Sequence, residues 1–269
     1  MNNIKSLSKK WYDFLEFPKE YDSFFDKILL RDDINEELLK KDVKELLESG
    51  DTELCLVYAL LKCEETEKKY NEKGISNDIF CDTALDIKLW ATDYFSRTGV
   101  LGLDLLAWVA SFLDLKLFRL GRLQFNFSPS IVDCPEKGIR LGDNTLGVHI
   151  PKNDPFTPEA WEKSFLASKE FFPKYFPEFE YKYYSCSSWF LSPDLDLFLD
   201  ENSNIIKFKK LFDVIDVSEK DIMLSFLFSW GATREDLPNL EAKTSLQKKI
   251  KEYVLAGNKL HSGYGIIEK

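Results

Sequence analysis

The residues best suited to chemistry in this chain are a histidine beside a proline and a run of hydroxyl side chains. His149, one of only two histidines, stands directly before Ile150 and Pro151. A neutral imidazole can accept a proton from an amine or a thiol, because its ordinary pKa lies near neutrality. We therefore treat His149 as a candidate general base. The alternative is a structural imidazole that bonds a backbone carbonyl.

The hydroxyl-rich run is KYYSCSSWF, residues 182–190. With a two-residue period, Tyr184, Cys186 and Ser188 face one way, and their neighbours face the other. Tyr184 is a candidate general acid for a leaving thiolate, and Ser188 is a candidate contact for a polar ligand. The alternative is a half-exposed strand with ordinary polar residues, and Trp189 is more typical of a core residue than of a stacking platform.

The elements around these residues predict a strand–helix–strand crossover. Residues 145–150 alternate as a strand, paired through a turn at 142–144 with residues 139–141. Thr157-Pro158 is a helix start, and residues 181–191 form the next strand. A crossover of this kind sets two parallel strands side by side, and ligands gather near their carboxyl ends.

The rest of the chain predicts an α+β protein with two domains. Residues 1–115 carry helical periodicity, with a last apolar helix at 101–115, and form a helical N-terminal domain. Residues 116–269 follow a two-residue period from 119–127 onward. In this second domain we predict a strand pair at 212–217 and 222–229, a helix at 245–256 and a glycine-punctuated tail.

Charge and cysteine content restrict the partners. The net charge is −10 with a pI near 4.9, and the acidic excess falls almost entirely in residues 1–115. Such a chain lacks the basic face that nucleic acids require, whereas an acidic helical domain suits a protein partner. Five cysteines without a CxxC pair, and no apolar segment of spanning length, predict a cytoplasmic protein with reduced thiols, no structural metal and no membrane contact.

The chain contains no P-loop, no glycine-rich dinucleotide turn, no HExxH and no GxSxG. Nicotinamide and ATP enzymes of the usual design are therefore excluded. A thioester hydrolase is disfavoured, because the sequence offers no recognisable nucleophile.

Several short motifs together resemble a known family. They are LGRLQF (120–125), HIP (149–151), FF (171–172), FPEF (176–179), CSSWFL (186–191), SPDLDLFL (192–199) and SNIIKFKKLF (203–212). This set resembles a bacterial family that joins an N-acyltransferase N-terminal helical domain to a GNAT-like acyltransferase C-terminal domain. The resemblance covers most of the chain, from about Trp11 to Trp230.

The resemblance implies a helical domain, residues 1–115, packed on a GNAT-like mixed β-sheet domain, residues 116–269, with the crossover at its centre. It also implies an acyl-CoA-dependent N-acyltransferase with acyl-CoA or acetyl-CoA as co-substrate and an unidentified small-molecule amine as acceptor. His149 would be the base and Tyr184 the acid. Ile150, Lys152, Ser188 and Trp189 would contact the co-substrate or the acceptor.

One segment departs from the family pattern. The loop that should cradle the CoA pyrophosphate is residues 152–157. Together with the two residues that follow, it reads KNDPFTPE (152–159), with one lysine, two carboxylates and two prolines that lack N–H donors. The alternative function is therefore a non-catalytic ligand-binding or protein-interaction module on a degenerate acyltransferase scaffold. A cleft made electropositive by Arg119, Arg122, Arg140 and Lys152 would favour the enzyme. A cleft lined by Asp154 and Glu159 would favour the module.

Overall fold

The computed structural model describes residues 3–152 and 154–269, and it divides into two compact units, residues 1–120 and 121–269. The helices and the strand of the first unit are α1 (Asn3–Phe14), α2 (Asp22–Leu29), α3 (Val43–Ser49), α4 (Thr52–Lys73), α5 (Asn77–Thr98), α6 (Leu106–Leu113) and β1 (Leu117–Leu120). Aromatic rings fill its core. The Phe80 ring makes edge contacts with Trp11 and Tyr70, at centroid distances of 5.6 and 5.4 Å, and a tilted contact with Phe112 at 5.6 Å. Their burial supplies much of the hydrophobic stabilisation of this unit.

The second unit contains a mixed sheet with helices. Its elements are β2 (Leu123–Pro129), β3 (Asn144–His149), α7 (Pro158–Tyr175), β4 (Tyr183–Ser188), α8 (Leu195–Phe198), α9 (Asn204–Lys209), β5 (Asp213–Glu219), α10 (Ile222–Leu227), α11 (Ser245–Leu255) and β6 (His261–Glu268). Its strands follow the order β2-β3-β4-β6-β5. The pair β3–β4 is parallel, and the other pairs in this series are antiparallel. The crossover β3-α7-β4 is therefore the one expected from the sequence.

Helix α7 covers one face of the sheet because its aromatic residues meet those of β2 and β4. Phe165 lies 5.9 Å from Phe125 and 5.2 Å from Tyr184, centroid to centroid. The Ser164 hydroxyl accepts from the backbone N–H of Arg122 and of Leu123 at 2.9 and 3.2 Å, which fixes the helix against the start of β2. This face is an aromatic layer.

Several secondary-structure elements of the second unit differ from those predicted from the sequence. The predicted strand at 222–229 is wrong: residues 222–227 form α10, whose Met223 and Leu224 are buried in an apolar cluster with Trp189 and Leu260. The partner of β5 is instead β6, formed by the glycine-rich tail. The small residues are required there, since a Cβ on Gly263 would lie 2.5 Å from the backbone oxygen of Leu191.

The predicted hairpin before the crossover is also wrong. Ile139 makes only an isolated bridge with Cys134, and β3 pairs with β2 over its whole length. The predicted strand at 119–127 is interrupted at Gly121, whose φ of 75° turns the chain between β1 and β2. The apolar helix is shorter than expected, as α6 covers only 106–113.

Candidate active site

The sheet opens between β3 and β4 at their carboxyl ends. The parallel register holds three residue pairs, Thr145–Tyr183, Leu146–Tyr184 and Gly147–Ser185. Among the described residues no further pair joins these strands, although β3 pairs with β2 as far as His149 and β4 pairs with β6 as far as Ser188. The last residues of both strands therefore face each other across a gap, with backbone groups on their inner edges that a parallel ladder would otherwise use.

His149 is the last residue of β3 and stands beside this gap. Its Nε2 lies 2.9 Å from Asn126 Oδ1 on β2. Because an amide oxygen only accepts hydrogen bonds, this contact places the proton of the neutral imidazole on Nε2. The side chain is half-buried, and burial lowers the pKa of His149 from 6.5 to about 4. The imidazole is therefore neutral near pH 7.

Gly147 provides the room for this contact. It pairs with Asn126 across the antiparallel ladder, and a Cβ built on Gly147 would overlap the Asn126 side-chain oxygen. Only glycine lets the Asn126 carboxamide lie over the β3 backbone and reach His149. The residues that orient the imidazole thus come from two strands.

Tyr184 lies on the opposite face of the sheet from His149. Its registered neighbour is Leu146, whereas His149 shares the other face with Thr145 and Gly147. The Tyr184 hydroxyl is 2.9 Å from Ser168 Oγ on α7, and the side chain is 1% exposed. The structure therefore does not bring these two predicted catalytic residues together.

The predicted binding residues fall into two groups. Ile150 and Lys152 follow β3 at the gap, both half-buried, and the Lys152 ammonium lies 5.9 Å from the Phe226 ring centroid. Ser188 ends β4, where its hydroxyl accepts from the backbone N–H of Phe190 at 3.1 Å. Trp189 is 8% exposed and packs in the apolar cluster of α8, α10 and α11, which makes it a core residue.

The predicted phosphate loop, 152–157, is fixed around its second half, and its Asn153 lies outside the described residues. Arg122 Nε donates to the Pro155 oxygen at 3.1 Å, and Asn204 Nδ2 donates to the Phe156 oxygen at 2.7 Å. Glu159 occupies the first turn of α7. Its pKa lies below the ordinary value because the carboxylate accepts from its own backbone N–H and from the Thr157 hydroxyl. A carboxylate thus lies where the helix N-terminus would attract a phosphate.

Sequence reasoning missed the polar residues of β2 that complete the site. Asn126 and Gln124 share a face with His149, and Gln124 is its direct register partner. Thr145 Oγ1 and Ser185 Oγ, 2.7 Å apart, continue the polar face across β4. The alternation LQFNF indicated a polar face on β2, but only the pairing of β2 with β3 reveals that His149 lies on it.

Other chemistry has little support in the site. Burial raises the pKa of the Cys186 thiol to about 12, so a thiolate nucleophile is unfavourable there. Within 3–152 and 154–269, acidic, histidine and cysteine side chains nowhere gather in a group able to hold a metal ion. In the same ranges, every helix is too short or too polar to cross a bilayer.

Comparison with known families identifies the chain. Residues 16–115 match the N-acyltransferase N-terminal domain, and residues 117–267 match the GNAT-like C-terminal domain. The chain therefore belongs to the two-domain N-acyltransferase family that its motifs resemble, which confirms that resemblance. A comparison with curated proteins found no match.

Solved structures agree on the fold. An acyltransferase in complex with decanoyl-CoA and teicoplanin is similar with a TM-score of 0.70 at 25% identity, covering 80% of this chain and 66% of that chain. An acyltransferase mutant in complex with octanoyl-CoA gives the same values. This chain thus spans just under two-thirds of the length of those proteins. An acyltransferase in complex with decanoyl-CoA has a TM-score of 0.79 at 22% identity, covering 97% of this chain and 87% of that chain. The predicted α+β class is confirmed.

The contact between Asn126 and His149 generates a stability prediction. We expect Gly147→Ala to lower the free energy of unfolding by about 1–3 kcal/mol, since the new methyl group must displace the Asn126 carboxamide. Urea denaturation measures this loss. The double variant Gly147→Ala/Asn126→Ala removes the obstacle and should recover part of it. Equal losses in the single and double variants would contradict this origin of the strain.

The lowered pKa of His149 generates a pH prediction. The folded protein binds the proton on this imidazole only near pH 4, whereas the unfolded chain binds it near pH 6.5. The stabilising contribution is therefore complete above pH 6.5 and is lost as the pH falls toward 4. Between pH 7 and pH 4, the free energy of unfolding of the wild type should therefore fall by about 1–3 kcal/mol more than that of His149→Gln, which lacks the imidazole. Urea denaturation measures both proteins. Parallel pH curves for the two proteins would contradict a neutral, half-buried imidazole.

Proposed function

We propose that this chain is an acyl-CoA-dependent N-acyltransferase that transfers an acyl group from a CoA thioester to a small-molecule amine. The observation that carries the proposal is the gap between β3 and β4, at the end of which a neutral histidine stands. Family membership and the CoA-bound structural neighbours support the same activity. The proposal assigns the reaction to the GNAT-like domain, residues 116–269, and leaves 1–115 as a separate helical domain.

The gap suits an extended amide chain. The pantetheine arm of CoA carries two amide groups, which can pair with the inner edges of β3 and β4 where the ladder stops. Neighbouring strands lie about 4.8 Å apart, so a third chain fits only where the two strands have separated. The thioester would then lie near Val148–Ile150, within reach of His149.

His149 supplies the proton chemistry. The amine nitrogen attacks the thioester carbonyl carbon, a C–N bond forms, and the C–S bond breaks with release of the CoA thiolate. The amine proton passes to the His149 imidazole and then to the thiolate, so the products are an amide and CoA thiol. We assign no proton to Tyr184, because its hydroxyl is buried on the α7 face.

The proposal extends to a cellular location and to a protein partner. The five cysteines are all free thiols, as is typical of a reducing cytoplasm, which supports a cytoplasmic location. The acidic residues of the helical domain support a protein partner with a basic surface.

The histidine assignment predicts a kinetic difference among three variants. With decanoyl-CoA and an accepted amine, we expect His149→Gln to lower kcat about 10²–10⁴-fold while acyl-CoA affinity is retained. His261→Gln serves as the matched control, since this ring is held by Asp194 at 3.0 Å at the start of β6. Tyr184→Phe should also keep its rate. Release of CoA thiol measures all three, and an unchanged rate in His149→Gln would refute the role of His149.

The loop expected to bind the CoA pyrophosphate, residues 152–157, predicts that a charge change there alters the affinity for acyl-CoA. Isothermal titration with decanoyl-CoA should give saturable binding that Lys152→Glu weakens, because Lys152 begins the loop 152–157 that leads into α7. Lys174→Glu makes the same charge change in the last turn of α7 and should bind as the wild type does. If decanoyl-CoA gives no heat at millimolar concentration, the enzyme proposal fails, and the scaffold is a ligand-binding or interaction module. Glu159 is the feature that favours this second function.

A further inference from the structure

Two neighbouring hollows lie at the amino ends of β3 and β4, away from the gap. They share Glu180, Tyr181 and Lys269 in their walls and have volumes of about 390 and 670 Å³. Volumes of this size are typical of sites for small molecules. Tyr181 precedes β4 and His149 ends β3, so a rise of about 3.3 Å per residue puts these hollows about 20 Å from the gap. They are therefore separate from the site proposed for acyl transfer.

The smaller hollow has an aromatic wall. Its apolar lining consists of Pro173, Phe176, Pro177, Phe179 and Tyr181. The Phe179 and Tyr181 rings are stacked, with centroids 5.7 Å apart, and Phe127 of β2 supports Phe179 at 4.5 Å. Phe179 is half-buried and both prolines are exposed, so the wall is open to solvent. Because the face of an aromatic ring carries negative electrostatic potential, such a wall attracts cations.

A cation of the chain itself already lies on this wall. The Lys269 ammonium is 4.3 Å from the centroid of the Tyr181 ring, well inside the distance of about 6 Å at which a ring attracts a cation. Lys269 is exposed, so its side chain can also extend into water. Its ammonium thus marks the place at which the ring accepts a positive charge.

Glu180 adds a carboxylate at the edge that the two hollows share. The side chain is exposed, and its carboxylate has neither an ion pair nor a hydrogen bond among the described residues. The other carboxylates of the larger hollow are engaged: Glu268 lies 3.6 Å from the Lys182 ammonium, and Asp143 accepts from the backbone N–H of Arg140 at 2.7 Å. An aromatic wall beside an unpaired carboxylate suits a ligand that is both cationic and apolar.

We propose that the smaller hollow binds a small organic cation of the alkylammonium class. The carbon substituents of this cation pack on Phe179 and Pro177, and its charge lies near the Tyr181 ring and the Glu180 carboxylate. The ligand displaces the Lys269 ammonium from the ring. The inference does not rest on the proposed acyltransferase function, because no residue of the hollow belongs to the gap.

Two probes of equal shape test the role of the charge. Choline and 3,3-dimethylbutan-1-ol differ in that a neutral carbon replaces the quaternary nitrogen. In ¹H–¹⁵N spectra of the whole chain, choline should shift the backbone amides of Phe179, Glu180 and Lys269 saturably, and the neutral alcohol should bind at least about fivefold more weakly. Absence of a choline shift, or equal affinity for both probes, would refute the proposal. Shifts confined to His149 and Ser188 would place the cation at the gap and would also refute it.

Variants of the wall and the carboxylate locate the site. Phe179→Leu keeps an apolar side chain but removes the ring, so choline affinity should fall about three- to tenfold. Glu180→Gln is an exposed change that leaves the core intact and should weaken choline about two- to fivefold. Glu178→Gln is the matched control, since this exposed carboxylate lies two positions earlier and does not line the hollow. If Glu178→Gln weakens choline as much as Glu180→Gln does, the effect is one of net charge and the proposed site is wrong.

Removal of the internal cation gives the opposite sign. Lys269→Gln takes away the ammonium that competes for the Tyr181 ring, so choline should bind more tightly than to the wild type. Lys174→Gln makes the same charge change on an exposed residue outside the hollow and should leave the affinity unchanged. Unchanged or weaker binding of choline to Lys269→Gln would contradict the displacement that the proposal requires.

Discussion

The site depends on the early end of the β3–β4 ladder. A parallel ladder gains stability from evenly spaced hydrogen bonds, and each strand here forgoes those bonds over its last residues. The outer partners compensate, because β2 holds β3 to His149 and β6 holds β4 to Ser188. The two strands can therefore separate without either becoming disordered, and backbone polar groups become available to a ligand.

The sheet also separates two environments on its two faces. The face under α7 is apolar and aromatic. Tyr184 is buried on this face, where its hydroxyl forms a hydrogen bond with that of Ser168. The opposite face carries Gln124, Asn126, Thr145 and His149. Because side chains alternate along a strand, a residue's parity decides which environment it meets. That parity, rather than residue type, separates His149 from Tyr184.

Much of the second unit follows from local sequence signals. The Thr157-Pro158 start of α7, the alternation of β3 and the polar run of β4 are all strong local patterns, and they place His149 at the gap. The wrong strand predictions share one cause, which is that strand pairing depends on residues far away in the sequence. The tail 261–268 reads as a loop because its glycines lower strand propensity, yet those glycines are required by the close approach of Leu191.

The candidate site shows the same limit. Its histidine could be predicted because imidazole chemistry is evident from residue type, whereas Asn126 is brought to the imidazole only through the register of β2 with β3. Tyr184 fits a general acid by residue type, but the sequence does not show which face of the sheet α7 covers.

The claim that acyl-CoA enters between β3 and β4 is tested most directly by amide hydrogen exchange with and without decanoyl-CoA. The account predicts that exchange slows at residues 148–150 and 186–188, where the ladder is open, and stays unchanged in the fully paired β5–β6 ladder. Protection confined to another region, such as the hollow of about 670 Å³ lined by Tyr181, Lys182 and Lys269, would contradict it. The same holds if decanoyl-CoA binds and leaves exchange at the gap unaltered.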